Sequence, residues 1–427
     1  MTHLQTGFHQ KNATMHVDNI ALHEIAKAYG TPCYVYSASA IRTQYNALHE
    51  ALKRTLPKKQ ALLLCYAAKA NSNIAILRLL KNMGSGLEIV SEGELARGIK
   101  AGFEGRSIIS TSFGKTAAEI RACLKADILQ FNIEAPDELE RINTIAGETG
   151  KKANVAFRLN PDITGGGHNK ISTGRKEDKF GNTAQDVLAL YKHAQENLDN
   201  ITPVGLSMHI GSQVSQANTF KPGFEKLAEM TKTLRAQGLT VTNLDIGGGF
   251  PIIYNNEQLF DLEDYARWVK DIIAPLDVHI QTEPGRYMVG NAGILLSRVE
   301  YIKTTPARQF IVLDAGMNDL IRPAMYDAYH DIRPIQRSDA PEKTYDIVGP
   351  VCESGDIFAK QITLPEISGS DIVAIKSAGA YGFSMASNYN SRPLPAEILI
   401  DGDKISVIGK AQSIKDLMHR EEIPNWL

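Results

Sequence analysis

Residues suited to binding and activating an aldehyde stand at the ends of apolar runs in the first two thirds of the chain. An amine beside an apolar surface is partly desolvated, which favours its neutral form and lets it condense with an aldehyde. Consecutive glycines let backbone N–H groups approach a phosphate closely. The residues in question are Lys69 after Leu62–Ala67, His209 at the end of Val204–His209, Gly247–Gly249 after Leu244–Ile246, and Glu283 after Val278–Gln281.

Glu283 suits one further task, which is to pair with a ring nitrogen. A carboxylate beside a pyridine nitrogen stabilises the protonated ring, and that ring accepts electron density from a neighbouring carbanion. The alternative for Glu283 is an ordinary salt bridge with Arg286. His209 would be either a core histidine or a contact to the ring. No second histidine stands at ligand spacing, so no metal site is predicted.

These residues need a scaffold that brings the ends of successive strands together. Short apolar runs alternate with amphipathic helical runs from about residue 38 to 287, which is typical of a parallel sheet. Eight such units over about 250 residues favour a closed (β/α)8 barrel over an open doubly wound sheet. The predicted strands are Leu62–Ala67, Leu87–Val90, Ser107–Ser110, Ile128–Phe131, Val155–Leu159, Val204–His209, Leu244–Ile246 and Val278–Gln281.

In such a barrel, chemistry gathers where the strands end, and phosphate sites usually form after strands seven and eight. Gly248 and Gly249 stand at the first of these positions, and Gly285-Arg286 at the second. A tight turn, which glycine also serves, is the alternative for the glycine run. Arg158 ends the fifth strand and faces the same pocket.

After about residue 288 strand-like runs dominate, and Asp401-Gly402-Asp403 marks a hairpin. We therefore predict a second, mostly β domain of the sandwich or barrel-like kind, built from residues 1–37 and 288–427. The predicted strands are Cys33–Tyr36, Arg298–Thr304, Phe310–Leu313, Tyr345–Val348, Ile372–Lys376, Ile398–Ile400 and Ile405–Ile408.

The net charge, the apolar stretches and the cysteines limit the kinds of partner and location to expect for this chain. The 427 residues carry a formal net charge of −2, which gives no reason to expect nucleic acid or an anionic membrane as partner. There is neither a signal-peptide pattern in Met1–Gln10 nor an apolar stretch long enough to span a bilayer. The cysteines Cys33, Cys65, Cys123 and Cys352 form no C-x-x-C pair, so neither zinc nor a disulfide framework is expected. From these features we expect a small-molecule substrate and a cytoplasmic location.

The motifs resemble one family over nearly the whole chain. The chain resembles the diaminopimelate decarboxylases, of the alanine-racemase-like class of pyridoxal-phosphate enzymes. The motifs that carry the resemblance are Tyr66-Ala67-x-Lys69-Ala70-Asn71, Ser91-x-Gly93-Glu94-Leu95, His209–Gln213, Gly247–Pro251, Glu283–Arg286, Asp314–Leu320 with Arg322-Pro323-Ala324-x-Tyr326, Gly349–Asp356, Gly379–Gly382 and Ser384–Asn390.

The resemblance implies roles for individual residues. Lys69 would hold pyridoxal 5'-phosphate as a Schiff base, and Cys352 would return a proton to the carbanion left by loss of CO2. The cofactor would also be bound by His209 stacking on the ring, by Glu283 at the ring nitrogen, by Ser212, Gly248, Gly249, Gly285 and Arg286 at the phosphate with Tyr381 beside it, and by Arg158. The substrate would contact Arg286, Arg322, Tyr326, Glu353 and Tyr381.

The implied reaction converts meso-2,6-diaminopimelate to L-lysine and CO2, the last step of lysine biosynthesis, in a homodimer whose active sites are shared through Cys352 and Glu353. Alternatives are a decarboxylase of the ornithine, arginine or carboxynorspermidine type, a racemase, and a non-catalytic regulator on the same fold. The chain departs from the family at Glu88, where aspartate is frequent, so the role of that residue stays open. The loop Thr164–Gly181 is rich in glycine and charge, and the sequence leaves open whether it closes over the site.

Overall fold

The computed structural model describes residues 7–163 and 179–427, which form two compact units. One unit comprises residues 44–252 and 257–288, and the other comprises residues 7–43, 253–256 and 289–427. The glycine-rich loop Thr164–Gly181 lies for the most part outside the described residues. Among the described helices, none combines the length and apolarity needed to cross a bilayer.

The N-terminal segment belongs to the second of these units. It forms a small antiparallel sheet in the order β1-β2-β3 and then a strand that joins the large sheet of this unit. Helix α2 continues from here into the barrel unit. The bounds are β1 Phe8–Lys11, β2 Thr14–Val17, β3 Ile20–Ala21, α1 Leu22–Tyr29, β4 Cys33–Ser37 and α2 Ala38–Thr55.

The barrel unit contains eight parallel strands that close on themselves in chain order, as the alternation of apolar runs predicted. The first and last strands pair directly, through Ile280–Thr282 beside Leu62–Leu64. The strands are β5 Leu62–Ala67, β6 Gly86–Ile89, β7 Ile108–Ser110, β8 Gln130–Ile133, β9 Ala153–Arg158, β10 Ile201–Ser207, β11 Asn243–Asp245 and β12 His279–Thr282.

Helices alternate with these strands, and local capping signals set their beginnings. Asn73, Ser91 and Thr116 each accept a backbone N–H from the first turn of the helix that follows, which satisfies a donor that the helix itself leaves unpaired. The helices are α3 Ile74–Asn82, α4 Glu92–Ala101, α5 Ala117–Ala126, α6 Pro136–Glu148, α7 Ala184–Asn197, α8 Lys221–Ala236, and α9 Leu262–Trp268, which is extended by a π-helical turn, Val269–Ile273.

The C-terminal part forms most of the second unit, which is mostly β as predicted. Its large sheet runs in the order β17-β16-β14-β13-β4-β19-β20, with β18 beside β13 and β15 beside β18. After the barrel strands, the short helix α10 Arg286–Val289 lies for the most part in the barrel unit. The elements that follow it are β13 Gly293–Thr304, β14 Gln309–Leu313, α11 Arg322–Tyr326, β15 Ile332–Pro334, β16 Glu342–Val348, β17 Ile357–Pro365, β18 Ile372–Ile375, β19 Ala396–Asp401, β20 Lys404–Gly409 and α12 Ile414–Met418.

Candidate active site

Lys69 lies on a single 3-10 turn, Ala68–Ala70, that directly follows β5. Its side chain is 33% exposed, so the amine is partly desolvated, and its Nζ donates to both carboxylate oxygens of the fully buried Glu88 over 2.9 and 2.8 Å. The sequence left the role of Glu88 open, and here it is the ion-pair partner of Lys69. An amine held in this pair must give up a proton before it can attack an aldehyde.

A second carboxyl group, Glu94, lies next to this ion pair at the start of α4. Its Oε2 accepts the backbone N–H of Val90 over 2.7 Å. Burial, reinforced by the negative charge of Glu88, raises the pKa of Glu94 from 4.5 to about 7. The folded protein therefore retains a proton on Glu94 that the unfolded chain releases near pH 4.5.

This retained proton predicts a pH-dependent stability. Because the pKa of Glu94 is raised by folding, its contribution is complete below pH 4.5 and is lost as the pH rises through about 7. We expect Glu94→Gln to raise the free energy of unfolding, measured by urea titration, by up to about 3 kcal/mol at pH 8, with a smaller difference at pH 5. Glu92→Gln, an exposed change on the same helix turn, is the control. An equal difference at both pH values would contradict the assignment.

Glu283 follows β12 and is 3% exposed. Its Oε1 accepts the hydroxyl of Thr111 over 2.9 Å, and its carboxyl group is hydrogen-bonded to that of Asp245. Burial, followed by the charges of Asp245 and Glu88, raises the pKa of Glu283 well above its usual range. Arg286, the salt-bridge partner considered for Glu283, directs its guanidinium to Ser212, with Nε and Nη2 at 3.2 and 3.1 Å from Oγ.

The residues Gly247–Gly249, called the glycine turn below, contact two neighbouring loops. The built position of a Cβ on Gly248 lies 2.1 Å from the carbonyl oxygen of Glu283. Gly249 has a φ of +106°, and its carbonyl accepts the N–H of Val214 over 2.9 Å. A Cβ at Gly249 would lie 2.5 Å from the carbonyl oxygen of Gly211. The glycine turn thus joins the His209–Gln213 loop to the Glu283–Arg286 loop.

These close backbone approaches predict the effect of adding one methyl group. We expect Gly248→Ala to weaken the binding of pyridoxal phosphate by roughly tenfold or more, because the Cβ would displace the carbonyl of Glu283 and widen the turn. The measurement is a titration of the cofactor-free protein with pyridoxal phosphate. Gly93→Ala is the control, since its Cβ would make an ordinary 3.8 Å contact with Ser91. Equal affinity in the two variants would contradict the prediction.

His209 follows β10, and its Nδ1 accepts the N–H of Gly211 over 3.0 Å. Burial, together with the charges of Arg158 and Lys69, lowers the pKa of His209 well below its usual range, so the ring is neutral. Arg158 is itself buried and ion-paired with the buried Glu134, a residue that the sequence did not single out. Glu134 also accepts the N–H of Gly181 over 2.7 Å.

The other predicted residues lie in the mostly β unit. Arg322 begins α11, where its Nη1 lies 2.9 Å from Nε2 of His330 and its guanidinium carbon 4.7 Å from the ring centre of Tyr254. Tyr326 ends the same helix and is partly exposed. Tyr381 has a φ of +56°, a backbone conformation that is uncommon outside glycine and that clusters at functional sites.

Cys352 and Glu353 lie on the exposed loop between β16 and β17. Cys352 is exposed, whereas Cys33, Cys65 and Cys123 are buried. Two residues of the motif Ser384–Asn390, to which the sequence assigned no role, hold this loop. Asn390 accepts the N–H of Cys352 over 2.9 Å, and Tyr389 donates its hydroxyl to Glu353 over 3.2 Å.

Pyridoxal phosphate fits the groups that the barrel unit assembles. A glycine turn that any Cβ would obstruct and the donors of Ser212 and Arg286 match a phosphate. The partly exposed amine of Lys69 matches the aldehyde, and the buried Glu283 matches a ring nitrogen that carries a proton. Within residues 7–163 and 179–427, no group of three or more side chains is arranged to hold a metal ion.

Comparison with known proteins places the chain in a family. Residues 39–290 match the model described as the pyridoxal-binding domain of pyridoxal-dependent decarboxylases. The chain belongs to the pyridoxal-dependent decarboxylases, and it is a pyridoxal-phosphate-dependent carboxy-lyase.

Within this family, its relatives bear a more particular name. The diaminopimelate decarboxylase of Pseudomonas aeruginosa is 41% identical over 416 residues, which are 97% of this chain and 99% of that protein. The crystal structure of the Helicobacter pylori diaminopimelate decarboxylase complexed with L-lysine is 40% identical, has a TM-score of 0.89, and is matched over 93% of this chain and 98% of its own. The crystal structure of the diaminopimelate decarboxylase from M. jannaschii in co-complex with L-lysine is 35% identical and has a TM-score of 0.92 over 98% of both chains.

Proposed function

We propose that the protein decarboxylates meso-2,6-diaminopimelate to L-lysine and CO2, the last step of lysine biosynthesis. The observation that carries this proposal is the convergence of Lys69, the glycine turn and the buried Glu283 at one end of the barrel. The relatives with that activity in their names match nearly the full length of the chain, and two related structures hold L-lysine.

Each cofactor-binding residue has a defined task. Bound pyridoxal phosphate supplies an electron sink for the carbanion that forms at Cα when CO2 leaves. Lys69 holds the cofactor covalently, and His209 presents a neutral ring face to it. Glu283 keeps the ring nitrogen protonated. The phosphate and the polar edge of the ring are bound by Ser212, Gly248, Gly249, Gly285, Arg286 and Arg158, with Tyr381 beside them.

The far end of the substrate decides its identity. Diaminopimelate carries a second amino acid group there, whose carboxylate suits arginine in a bidentate contact and whose ammonium suits a carboxylate. We assign these contacts to Arg286, Arg322 and Glu353, with Tyr326 and Tyr381 completing the set. Ornithine ends in an ammonium alone and would leave the arginines without a partner.

In this proposal the mostly β unit supplies the proton donor for Cα and the contacts that form a homodimer. The thiol of Cys352 would donate a proton to Cα after CO2 leaves. Its exposed loop, held by Tyr389 and Asn390, supports a homodimer in which Cys352 and Glu353 serve the barrel of the other copy.

We further propose that residues 38–287 form the cofactor domain, that residues 1–37 and 288–427 form the substrate and dimer domain, and that the enzyme works in the cytoplasm.

A substrate panel tests this proposal. The purified enzyme loaded with pyridoxal phosphate is incubated with meso-diaminopimelate, ornithine, arginine and carboxynorspermidine, and CO2 and the amine product are measured. We expect lysine and CO2 in equal amounts from diaminopimelate, and a kcat/KM at least about 10³-fold lower for the others, because buried arginines would lose their partner. Higher activity on a diamine precursor would refute the substrate assignment, and racemisation without CO2 would refute the reaction.

The variant Arg322→Lys tests the contact proposed between Arg322 and the carboxylate at the far end of diaminopimelate. Lysine keeps the charge but cannot offer the planar pair of donors, so KM for diaminopimelate should rise while cofactor binding is unchanged. Lys404→Arg, on an exposed hairpin of the same unit, is the matched control.

A further inference from the structure

A chain of buried polar side chains crosses the interior of the barrel beneath Glu283. Asn243 donates to Oε1 of Gln130, and Gln130 donates to Oδ1 of Asn132, each over 2.9 Å. Asn132 in turn donates Nδ2 to Oδ2 of Asp245 over 2.8 Å. These residues alternate along β8 and β11, because side chains two apart on a strand share a face.

Asp245 is the member of this chain that touches Glu283. It accepts the N–H of Gly247 at Oδ1 over 3.0 Å and the amide of Asn132 at Oδ2, and its carboxyl group is hydrogen-bonded to that of Glu283. Ionised carboxylates are acceptors only, so a hydrogen bond between two carboxyl groups requires one proton. Asp245 and Glu283 are 0% and 3% exposed, so bulk solvent screens the interaction between the two carboxyl groups only weakly.

We propose that Asp245 and Glu283 together, rather than Glu283 alone, form the counter-ion of the pyridine nitrogen, with Asp245 as a positioning residue. The inference rests on the proposed function, since it requires the ring to lie against Glu283. While the pair holds its proton, it carries one negative charge, as Glu283 alone would. Once rising pH removes that proton, the pair carries two charges and holds the proton of the ring more tightly.

Other titratable groups face the pair. Lys69 and Glu88 act on Glu283 with opposite signs, from the turn after β5 and from β6. Cys65 on β5 and Tyr265 on α9 also lie within electrostatic reach of Asp245. All four are unchanged in an Asp245→Asn variant, which has nearly the same shape, lacks the second titrating carboxyl group and carries an NH2 donor in place of one acceptor oxygen. A difference between the variant and the wild type therefore reports on Asp245.

The test follows the ring nitrogen itself. Holoenzyme is prepared with pyridoxal phosphate labelled with ¹⁵N in the ring, and the ¹⁵N chemical shift is recorded against pH. We expect Asp245→Asn to lose the ring proton at a pH lower than the wild type by about one pH unit or more. The alkaline limb of the kcat profile should move with it. Asn243→Ser, which disturbs the far end of the same polar chain, should leave the transition of the ring nitrogen in place.

The outcomes separate this inference from the proposed function. An unchanged ring-nitrogen transition in folded Asp245→Asn overturns the role of Asp245, even if the enzyme decarboxylates diaminopimelate. If Asp245→Asn does not fold, Asn132→Ser removes a donor that stabilises the Asp245 carboxylate and should shift the transition in the same direction; no shift there overturns the inference. A wild-type protein that binds no labelled ring refutes the cofactor site, and with it the proposed function.

Discussion

Lys69→Ala is expected to lower kcat/KM for diaminopimelate by roughly 10³-fold or more and to abolish the covalent retention of pyridoxal phosphate. Lys69 is the amine that the structure places on the turn after β5, partly exposed and paired with the buried Glu88. Its loss removes the covalent anchor and leaves Glu88 as an uncompensated buried charge, which also destabilises the fold. The measurements are steady-state kinetics and the cofactor retained after gel filtration.

Two further variants distinguish the loss of the reactive amine from the loss of the positive charge beside Glu88. Lys69→Arg keeps a cation beside Glu88 and should recover stability without recovering activity, because a guanidinium does not become a free amine near neutral pH. Lys59→Ala removes a lysine of the same unit that is 83% exposed and should resemble the wild type. Normal turnover with covalently held cofactor in Lys69→Ala would show that another amine is the anchor.

Glu283→Gln is expected to lower kcat by roughly 10²–10³-fold, the usual cost of removing one preorganised electrostatic partner of a developing charge. The amide has nearly the same shape as the carboxyl group but cannot hold a negative charge beside the ring nitrogen, so the ring becomes a weaker electron sink. Cofactor affinity should fall much less than kcat, because the phosphate contacts at Ser212 and the glycine turn are untouched. Kinetics and a cofactor titration measure the two effects.

Thr111→Val is the companion to this variant. It removes the 2.9 Å hydrogen bond to Oε1 of Glu283 but keeps the carboxyl group, and we expect a loss in kcat of less than about tenfold. If Glu283→Gln instead raised KM for the substrate and left kcat unchanged, Glu283 would be a binding residue and the ring nitrogen would need another partner.

The barrel was predictable from the sequence because its signals are local and repeated. The strand Leu62–Ala67 has the predicted bounds, since its apolar run ends directly at the turn Ala68–Ala70. The long strand Ile357–Pro365 was missed. Its pairing with β16 contains irregularities, and Gln361 has a φ of +50°, so the two-residue alternation that marks a strand is broken.

The candidate site was predictable to the extent that its residues end strands. Lys69, His209, the glycine turn and Glu283 were found in this way. The supporting contacts were not predicted, because the partners are distant in sequence: Glu88, whose role the sequence left open, lies 19 residues from Lys69, and Thr111 lies 172 residues from Glu283. A weaker signal did exist, since polar residues such as Asn132 and Asp245 interrupt otherwise apolar strands and require partners when buried.

The most direct test of the central claim locates the covalent bond between protein and cofactor. The holoenzyme is reduced with borohydride and digested, and the peptide that carries the reduced pyridoxal phosphate is identified by mass spectrometry. We predict a single modified residue, Lys69, and no labelling when the Lys69→Arg variant is treated in the same way. Stoichiometric modification of a different lysine, or a wild-type enzyme that decarboxylates diaminopimelate without any reducible bond to pyridoxal phosphate, would contradict the account.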